Sequence, residues 1–148
     1  MAVILFKGFF NSQRDGTLIT AADVRLKLVM ASFTGETEED SVNVADLADL
    51  DEFDGVGYTE LDCANVTVTF DDATDRMILD FDDGTFGDPV AAGTGSIYGI
   101  FAYLWVDGTD ANDIALGFTD QGGFPATPAN NAVNLTVAAT GFMYSEQA

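Results

Sequence analysis

Two alternating segments joined by an aspartate-rich turn are the feature that most constrains the fold. From Val66 to Phe70, and again from Met77 to Phe81, an apolar residue occupies every second position, which is the period of a strand with one buried face. Residues 71–75 suit a chain reversal, because aspartate and threonine side chains bond nearby backbone groups in turns. We therefore predict an antiparallel hairpin whose apolar face needs a second layer to cover it.

Other segments supply the strands of that layer. Val24–Met30 and Ile114–Phe118 alternate, and Val133–Val137 is the last clear alternating segment. Ser96–Val106 is apolar on both faces, which is typical of a strand in the middle of a sheet that is covered on both sides. Short strands, glycine-rich turns and little helix predict an all-β fold, an antiparallel β-sandwich of jelly-roll or immunoglobulin-like type. A small β-barrel is the alternative.

Two short regions are open to more than one interpretation. Over Val3–Phe10, periodicity does not distinguish a strand from a short helix. Further along, Ser41 is a candidate N-cap for a brief helical turn that places Val44 and Leu47 on one side. Simple packing explains that apolar stripe.

Length and charge limit the classes of function. The chain has 148 residues, 47% of them hydrophobic, which is enough for a core in one domain spanning 1–148. Its net charge of −20 opposes binding to nucleic acids or to an anionic membrane. Residues 2–6 are apolar but too few to span a membrane, and they lack the flanks of a signal peptide. We expect a soluble protein made in the cytoplasm.

The few basic residues are concentrated near the beginning of the chain. Four of the five, Lys7, Arg14, Arg25 and Lys27, lie within the first 30 residues. One explanation is that Lys7, Arg25 and Lys27 form ion pairs with nearby acidic residues. The other is that the N-terminal segment docks on an acidic or mixed surface while the acidic remainder faces solvent.

Residues for catalysis are scarce. The chain has no histidine, which excludes a Ser-His-Asp triad, a Cys-His pair and a histidine-ligated metal. The one cysteine, Cys63, lies in an alternating apolar context that predicts a buried thiol. Asp80 and Asp82 point the same way on one strand, as a glycosidase pair would, but a solvated face is the simpler explanation. We therefore predict a protein that is not an enzyme and that needs no cofactor.

Two aspartate-rich turns are weak candidates for calcium. Asp82 and Asp83 precede a glycine, and Asp107, Asp110 and Asp113 lie in a second turn. Such turns gather the hard oxygen ligands that calcium prefers. Neither has the spacing of an EF-hand loop, and turn chemistry explains both without a metal.

Several motifs in a fixed order resemble a known group of proteins. Residues 49–59, DLDEFDGVGYT, resemble the L-x-E-x-x-G-x-GY-[TA] signature of small virion proteins of tailed phages. Later features of the group are matched by the turn at 71–76, the acidic strand and turn at 77–86, the lead-in at 93–96 to an aromatic strand, the D-x-GG-x-P loop at 120–125 and the glycine-hydrophobic step at 141–142. The resemblance covers Val24 to Met143. The chain departs from the group at Phe86 and Ala138, near positions where the group has tryptophan, since Trp105 is its only one.

The resemblance implies a β-sandwich on the outer surface of a virion and no catalytic residues. The function that it implies is capsid decoration, in which a cement protein bridges neighbouring subunits of the major capsid protein. Such proteins often form homo-oligomers, and the resemblance leads us to expect a trimer. We expect residues 1–16 to act as an N-terminal docking arm. The docking candidates are Phe6, Lys7, Phe9, Phe10 and Arg14, although Phe9 and Phe10 suit a core equally well.

The alternative is a tail or head-fibre module that attaches to a host surface. The loops at 34–40 and 120–131 would then make the contacts, with Glu36, Glu38, Gln121, Phe124 and Pro125 as exposed candidates. An acidic DNA mimic is a remote third possibility. Under the docking-arm hypothesis, a chain that lacks its first 14 residues should fold but lose capsid binding. An unfolded product would instead make that segment part of the core.

Overall fold

The computed structural model describes residues 3–14, 23–30, 39–74 and 76–146. In chain order, the elements are β1 (Val3–Leu5), α1 (Lys7–Arg14), β2 (Val24–Met30), a 3₁₀ turn (Val44–Asp46), β3 (Leu61–Asp62), β4 (Thr67–Asp71), β5 (Arg76–Asp80), β6 (Gly84–Thr85), β7 (Ile97–Leu104), β8 (Ile114–Thr119), β9 (Asn134–Leu135) and β10 (Met143–Glu146). All strand pairings among them are antiparallel. The predicted all-β, antiparallel sandwich-like fold is confirmed. No helix in the described ranges is long and apolar enough to cross a membrane.

The main layer is a five-stranded sheet with the order β1-β8-β7-β2-β3. Strand β7 lies in its middle, and seven of its eight residues are buried, as the apolar sequence predicts for a strand covered on both faces. Leu28 of β2 pairs with Ile100, and Phe118 of β8 pairs with Phe101. Because successive side chains alternate between faces, Ile100 and Phe101 enter two different apolar clusters.

The second layer consists of two small sheets with the orders β10-β5-β4 and β6-β9. The predicted hairpin is confirmed as β4 and β5, where Val68 pairs with Leu79. Strand β10 adds to the other side of β5, with Met143 beside Leu79. Leu79 and Met143 are buried in the cluster between the layers, whereas Phe70 at the far end of the hairpin is 46% exposed.

The opposite face of the main sheet is covered by the N-terminal segment and the 3₁₀ turn. Phe6 meets Phe101 edge to face, with ring centroids 6.0 Å apart, and Val44 packs in the same cluster. The residue that precedes the turn is Asn43, not Ser41, and the Asn43 N–H donates to Asp46 Oδ2 at 3.0 Å. The predicted cap at Ser41 is therefore wrong.

The N-terminal segment is both strand and helix, and it is part of the core. Strand β1 pairs with β8, placing Ile4 opposite Phe118, and the Phe6 N–H donates to the Leu116 carbonyl at 3.1 Å. Phe6 and Phe9 have no exposed surface. The prediction that Phe6 and Phe9 dock on a partner is wrong, because the step from β1 into α1 turns Phe6 toward one cluster and Phe9 toward the other.

Substitutions at the adjacent residues Phe9 and Phe10 test whether Phe9 is part of the core. We expect Phe9→Ala to lower the free energy of unfolding by about 3–5 kcal/mol, because a buried ring leaves a cavity. Phe10 is 47% exposed, so Phe10→Ala should cost about 1 kcal/mol or less. Urea unfolding monitored by circular dichroism measures both values. Equal effects would contradict the burial of Phe9. Because Phe9 and Phe6 belong to the two core clusters, we expect a chain that lacks residues 1–14 to unfold.

Candidate docking surface

The remaining docking-arm candidates lie on helix α1. Lys7 and Phe10 are exposed, and Arg14 is the last residue of the helix, with its side chain outside the described part of the structure. The helix packs so closely that a Cβ added at Gly8 would meet the carbonyl oxygens of Ala115 and Val42. Lys7 and Phe10 are therefore surface residues on a fixed helix rather than members of an extended arm.

The other two N-terminal basic residues form ion pairs. Arg25 lies 3.1 Å from an Asp23 oxygen and 3.0 Å from a Glu60 oxygen, and Lys27 lies 3.1 Å from Glu52. The Arg25 guanidinium also stacks over the Trp105 ring, 4.4 Å from its centroid. For Arg25 and Lys27, pairing with nearby acidic residues is confirmed.

Two tyrosines complete this network. The Tyr103 hydroxyl donates to Glu60 at 2.7 Å and the Tyr58 hydroxyl donates to Glu52 at 2.9 Å. Burial, and after it the negative charge of Glu52, raises the pKa of Tyr58. Burial, together with the hydrogen bond to Glu60, also raises the pKa of Tyr103. Both phenols thus stay protonated donors, which suits a structural network.

The aspartates of the second candidate calcium turn organise the backbone. Asp113 is buried, and its Oδ1 accepts the N–H groups of Val106, Asp107 and Gly108 at 2.8, 3.3 and 3.4 Å. Asp107 accepts the side-chain amide of Asn112 at 2.7 Å and the N–H of Thr109 at 2.9 Å, and these local hydrogen bonds lower the pKa of its carboxyl. Turn chemistry of this kind explains why aspartate recurs there.

The other calcium candidates also contact protein groups. Asp82 accepts the side-chain amide of Asn65, and Asp83 accepts the N–H of Val137, both at 2.7 Å. The backbone carbonyl of Asp110 accepts the Ala45 N–H at 2.9 Å. Within the described ranges, no three of the acidic or cysteine side chains group as metal ligands would.

The predicted buried thiol is confirmed at Cys63. The residue is 6% exposed, and burial raises the pKa of the thiol to about 12. The nearby carboxylate of Asp62 acts in the same direction. The thiolate, which is the reactive form, is therefore scarce at neutral pH.

The predicted exposed loop borders a groove of about 790 Å³. Gln121 and Phe124 line it, and Pro125 is exposed next to them. Glu36 and Glu38 of the other predicted loop lie outside the described residues. The structure thus connects part of the predicted loop site with a concave surface, the usual form of a binding site.

Backbone and side-chain bonds hold the walls of the groove. Ile97 at the start of β7 exchanges two backbone hydrogen bonds with Ala126, at 2.7 and 2.8 Å. Asn134 of β9 accepts the hydroxyl of Thr85 at 2.8 Å, and the Val137 N–H is held by Asp83 as described above. The groove walls are therefore anchored to β7 of the main sheet and to β6 of the second layer.

The groove is uncharged. Its lining consists of Leu28, Phe86, Ile97, Ile100 and Thr119 together with the segments 121–124, 126–128, 132–138 and 140–144. None of these lining residues carries a charge, in a chain with 25 acidic and 5 basic residues. Residues 121–145 contain no charged residue at all. We missed this signal, which is visible in the sequence as the longest interruption of an otherwise acidic pattern.

Comparison with known proteins adds no relative: no protein-family model, curated protein or solved structure matches the chain.

The motif at 49–59 has a structural role here. The Tyr58 hydroxyl bridges Glu52 and the Leu28 N–H, and Gly57 has a φ of +90° beside the carbonyl of Pro89. A left-handed backbone favours glycine, so the motif fastens this loop against β2.

Asp54 of the same motif provides a test by pH. Its carboxylate accepts the Thr94 hydroxyl at 2.7 Å and the Thr94 N–H at 2.8 Å, and these bonds lower its pKa. A lowered pKa means that the stabilisation is present above the unfolded-state pKa of about 4 and is lost as pH falls through the folded-state value. We expect Asp54→Asn to be less stable than the wild type at pH 7, with a difference that shrinks below about pH 4.

The midpoints of urea unfolding, recorded between about pH 7 and about pH 2.5 so that the range includes the carboxyl pKa of about 4, measure this difference. Thr94→Val is the matched control, because it removes the hydroxyl donor and keeps the backbone donor. The stability of Thr94→Val at pH 7 should lie between that of the wild type and that of Asp54→Asn, and its difference from the wild type should also shrink at low pH. A difference between Asp54→Asn and the wild type that stays constant with pH would contradict the assignment.

Proposed function

We propose that this protein is a structural component of a tailed-phage virion, a capsid decoration protein that binds the major capsid protein at the outer surface. The observation that carries the proposal is the uncharged groove surface of a chain with net charge −20. The motif order described above supports the choice of a virion protein.

The energetic reason lies in the cost of burying charge. The cores of protein interfaces are depleted of charged residues, and an unpaired carboxylate that loses its water is strongly destabilising. The surface made by residues 121–144 can be covered by a partner without burying a carboxylate of its own. The acidic remainder favours solvent and repels DNA.

The fold suits a bridging role. Strand β7 is hydrogen-bonded on both sides and buried on both faces, so the groove walls that contact β7 rest on a rigid element. A cement protein works by adding contacts that must break before the shell opens. The proposal includes a homo-oligomer, with a trimer at local three-fold positions as the expected arrangement.

A host-attachment module is the second candidate function. The tip of the groove loop favours it, because Gln121, Gly122 and Gly123 are all exposed and a Cβ added at either glycine would meet nothing within 4 Å. The hydroxyls and amides at the groove rim would then contact an uncharged group on the host surface. Copy number distinguishes the two functions, since decoration proteins are abundant and attachment modules are rare.

Quantitative mass spectrometry of purified particles tests the proposal. We expect the wild-type chain at a ratio to the major capsid protein of about one, or a simple fraction such as about one-third, as repeated lattice positions require. Thr136→Lys places a charge on an exposed position of the groove, so its ratio should fall at least about tenfold, because the charge must be desolvated on docking.

Thr69→Lys is the matched control. Thr69 is exposed on β4 and lies outside the groove lining, so the same change in charge should leave the ratio unaltered. Wild-type chain at a handful of copies would favour the attachment module. Absence of the chain from particles would overturn both functions.

A further inference from the structure

We propose that the groove binds an extended apolar peptide segment flanked by lysine or arginine, which adds as a strand to the edge of β10 opposite β5. The inference rests on the proposed function, because the segment would come from the coat partner. It specifies the chemistry of that partner: a short β-forming sequence between basic residues.

The backbone of the groove wall supplies the first reason. Strand β10 is an end strand of the sheet β10-β5-β4 in the described chain, and Gly141, Phe142, Met143 and Tyr144 line the groove. The edge of an end strand presents N–H and C=O groups that an added strand can pair with. An apolar groove beside such an edge is the arrangement used in recognition by strand addition.

The shape and composition of the groove supply the second reason. Phe86 and Ile100 are buried below it, and Leu135 and Val137 are half-buried in its wall. A volume of about 790 Å³ lies in the range of pockets that enclose ligands. Alternate side chains of an extended segment would enter this apolar space, while the side chains between them face out.

Charge determines which segment fits. A charged side chain inside the groove would lose its water with no ion to pair with, so the central part of the segment is neutral. Acidic residues border the groove: Asp83 is bound to Val137, and a Cβ added at Gly141 would lie 3.8 Å from the Cβ of Asp80. Asp120 directly precedes the lining residue Gln121. Basic residues at both ends of the segment would complement this rim.

Two synthetic peptides with the same centre provide the test. The probe is Lys-Lys-Val-Thr-Ile-Thr-Val-Lys-Lys, and its counterpart carries glutamate in place of every lysine. In NMR titrations of the full ¹⁵N-labelled chain, the basic peptide should shift the amide resonances of Gly141–Tyr144 and Leu135–Val137. The acidic peptide should bind at least about tenfold more weakly, because its ends meet the acidic rim.

Two variants separate strand addition from nonspecific attraction. Proline in place of the central isoleucine removes a backbone donor and breaks the extended pairing, so binding should weaken about tenfold. Thr136→Lys in the protein should weaken binding of the basic peptide by a similar factor, whereas Thr69→Lys should show affinity close to the wild type.

Three outcomes would overturn the inference: no shift with the basic peptide, equal binding of the two peptides, or shifts of the same amides by the neutral oligosaccharide maltoheptaose instead of the peptides. Particle copy number distinguishes this failure from failure of the proposed function. If the chain stays abundant on particles and the basic peptide does not bind, the decoration function stands and strand addition is wrong. If peptide binding is observed and the chain is absent from particles, the groove chemistry stands and the virion function is wrong.

Discussion

The double burial of β7 is the constraint on which the rest of the structure depends. An apolar strand with both faces away from water must be paired on both edges and covered on both sides. Strands β2 and β8 pair with its edges, and Leu79 of β5 and Phe86, which follows β6, help to cover one face. The second face would expose Phe101 if the N-terminal segment did not place Phe6 against it. This requirement explains why a segment expected to dock on a partner belongs to the core.

The distribution of charge follows from the same packing. Arg25 and Lys27 lie half-buried on one face of β2, and each forms an ion pair with a glutamate of the 52–60 loop. These basic side chains therefore help to hold that loop against β2. Among the carboxylates, Asp113 accepts backbone N–H groups of its own turn, and Asp54 accepts the N–H of Thr94, 40 residues along the chain. The surface between 121 and 144 has neither role and carries no charge. It is therefore a region that another molecule can cover at a low cost in desolvation.

The candidate site could be predicted from the sequence only in part. The glycine and proline content of the loop after β8 correctly identified Gln121 and Pro125 as exposed, since such residues favour turns. Phe124, also predicted to be exposed, is half-buried and packs against the core. The absence of charge along 121–145 is equally visible without a structure. The groove itself is not, because Leu28 and Ile100 lie far from that loop in sequence and meet it only through the pairing of β2, β7 and the segment around Ala126.

By itself, the sequence determined the positions of β2, β4, β5, β7 and β8 and which of them is central. Alternation and double-faced apolarity are local properties that reflect one-sided or two-sided burial. It also determined the turn chemistry of the aspartates and the burial of Cys63. Only the tertiary structure decided that residues 3–14 form a strand followed by a helix, and that Phe9 is buried while Phe10 is half exposed. The physical reason is that a short apolar segment fits either element, and the choice depends on contacts with β8, more than 100 residues away.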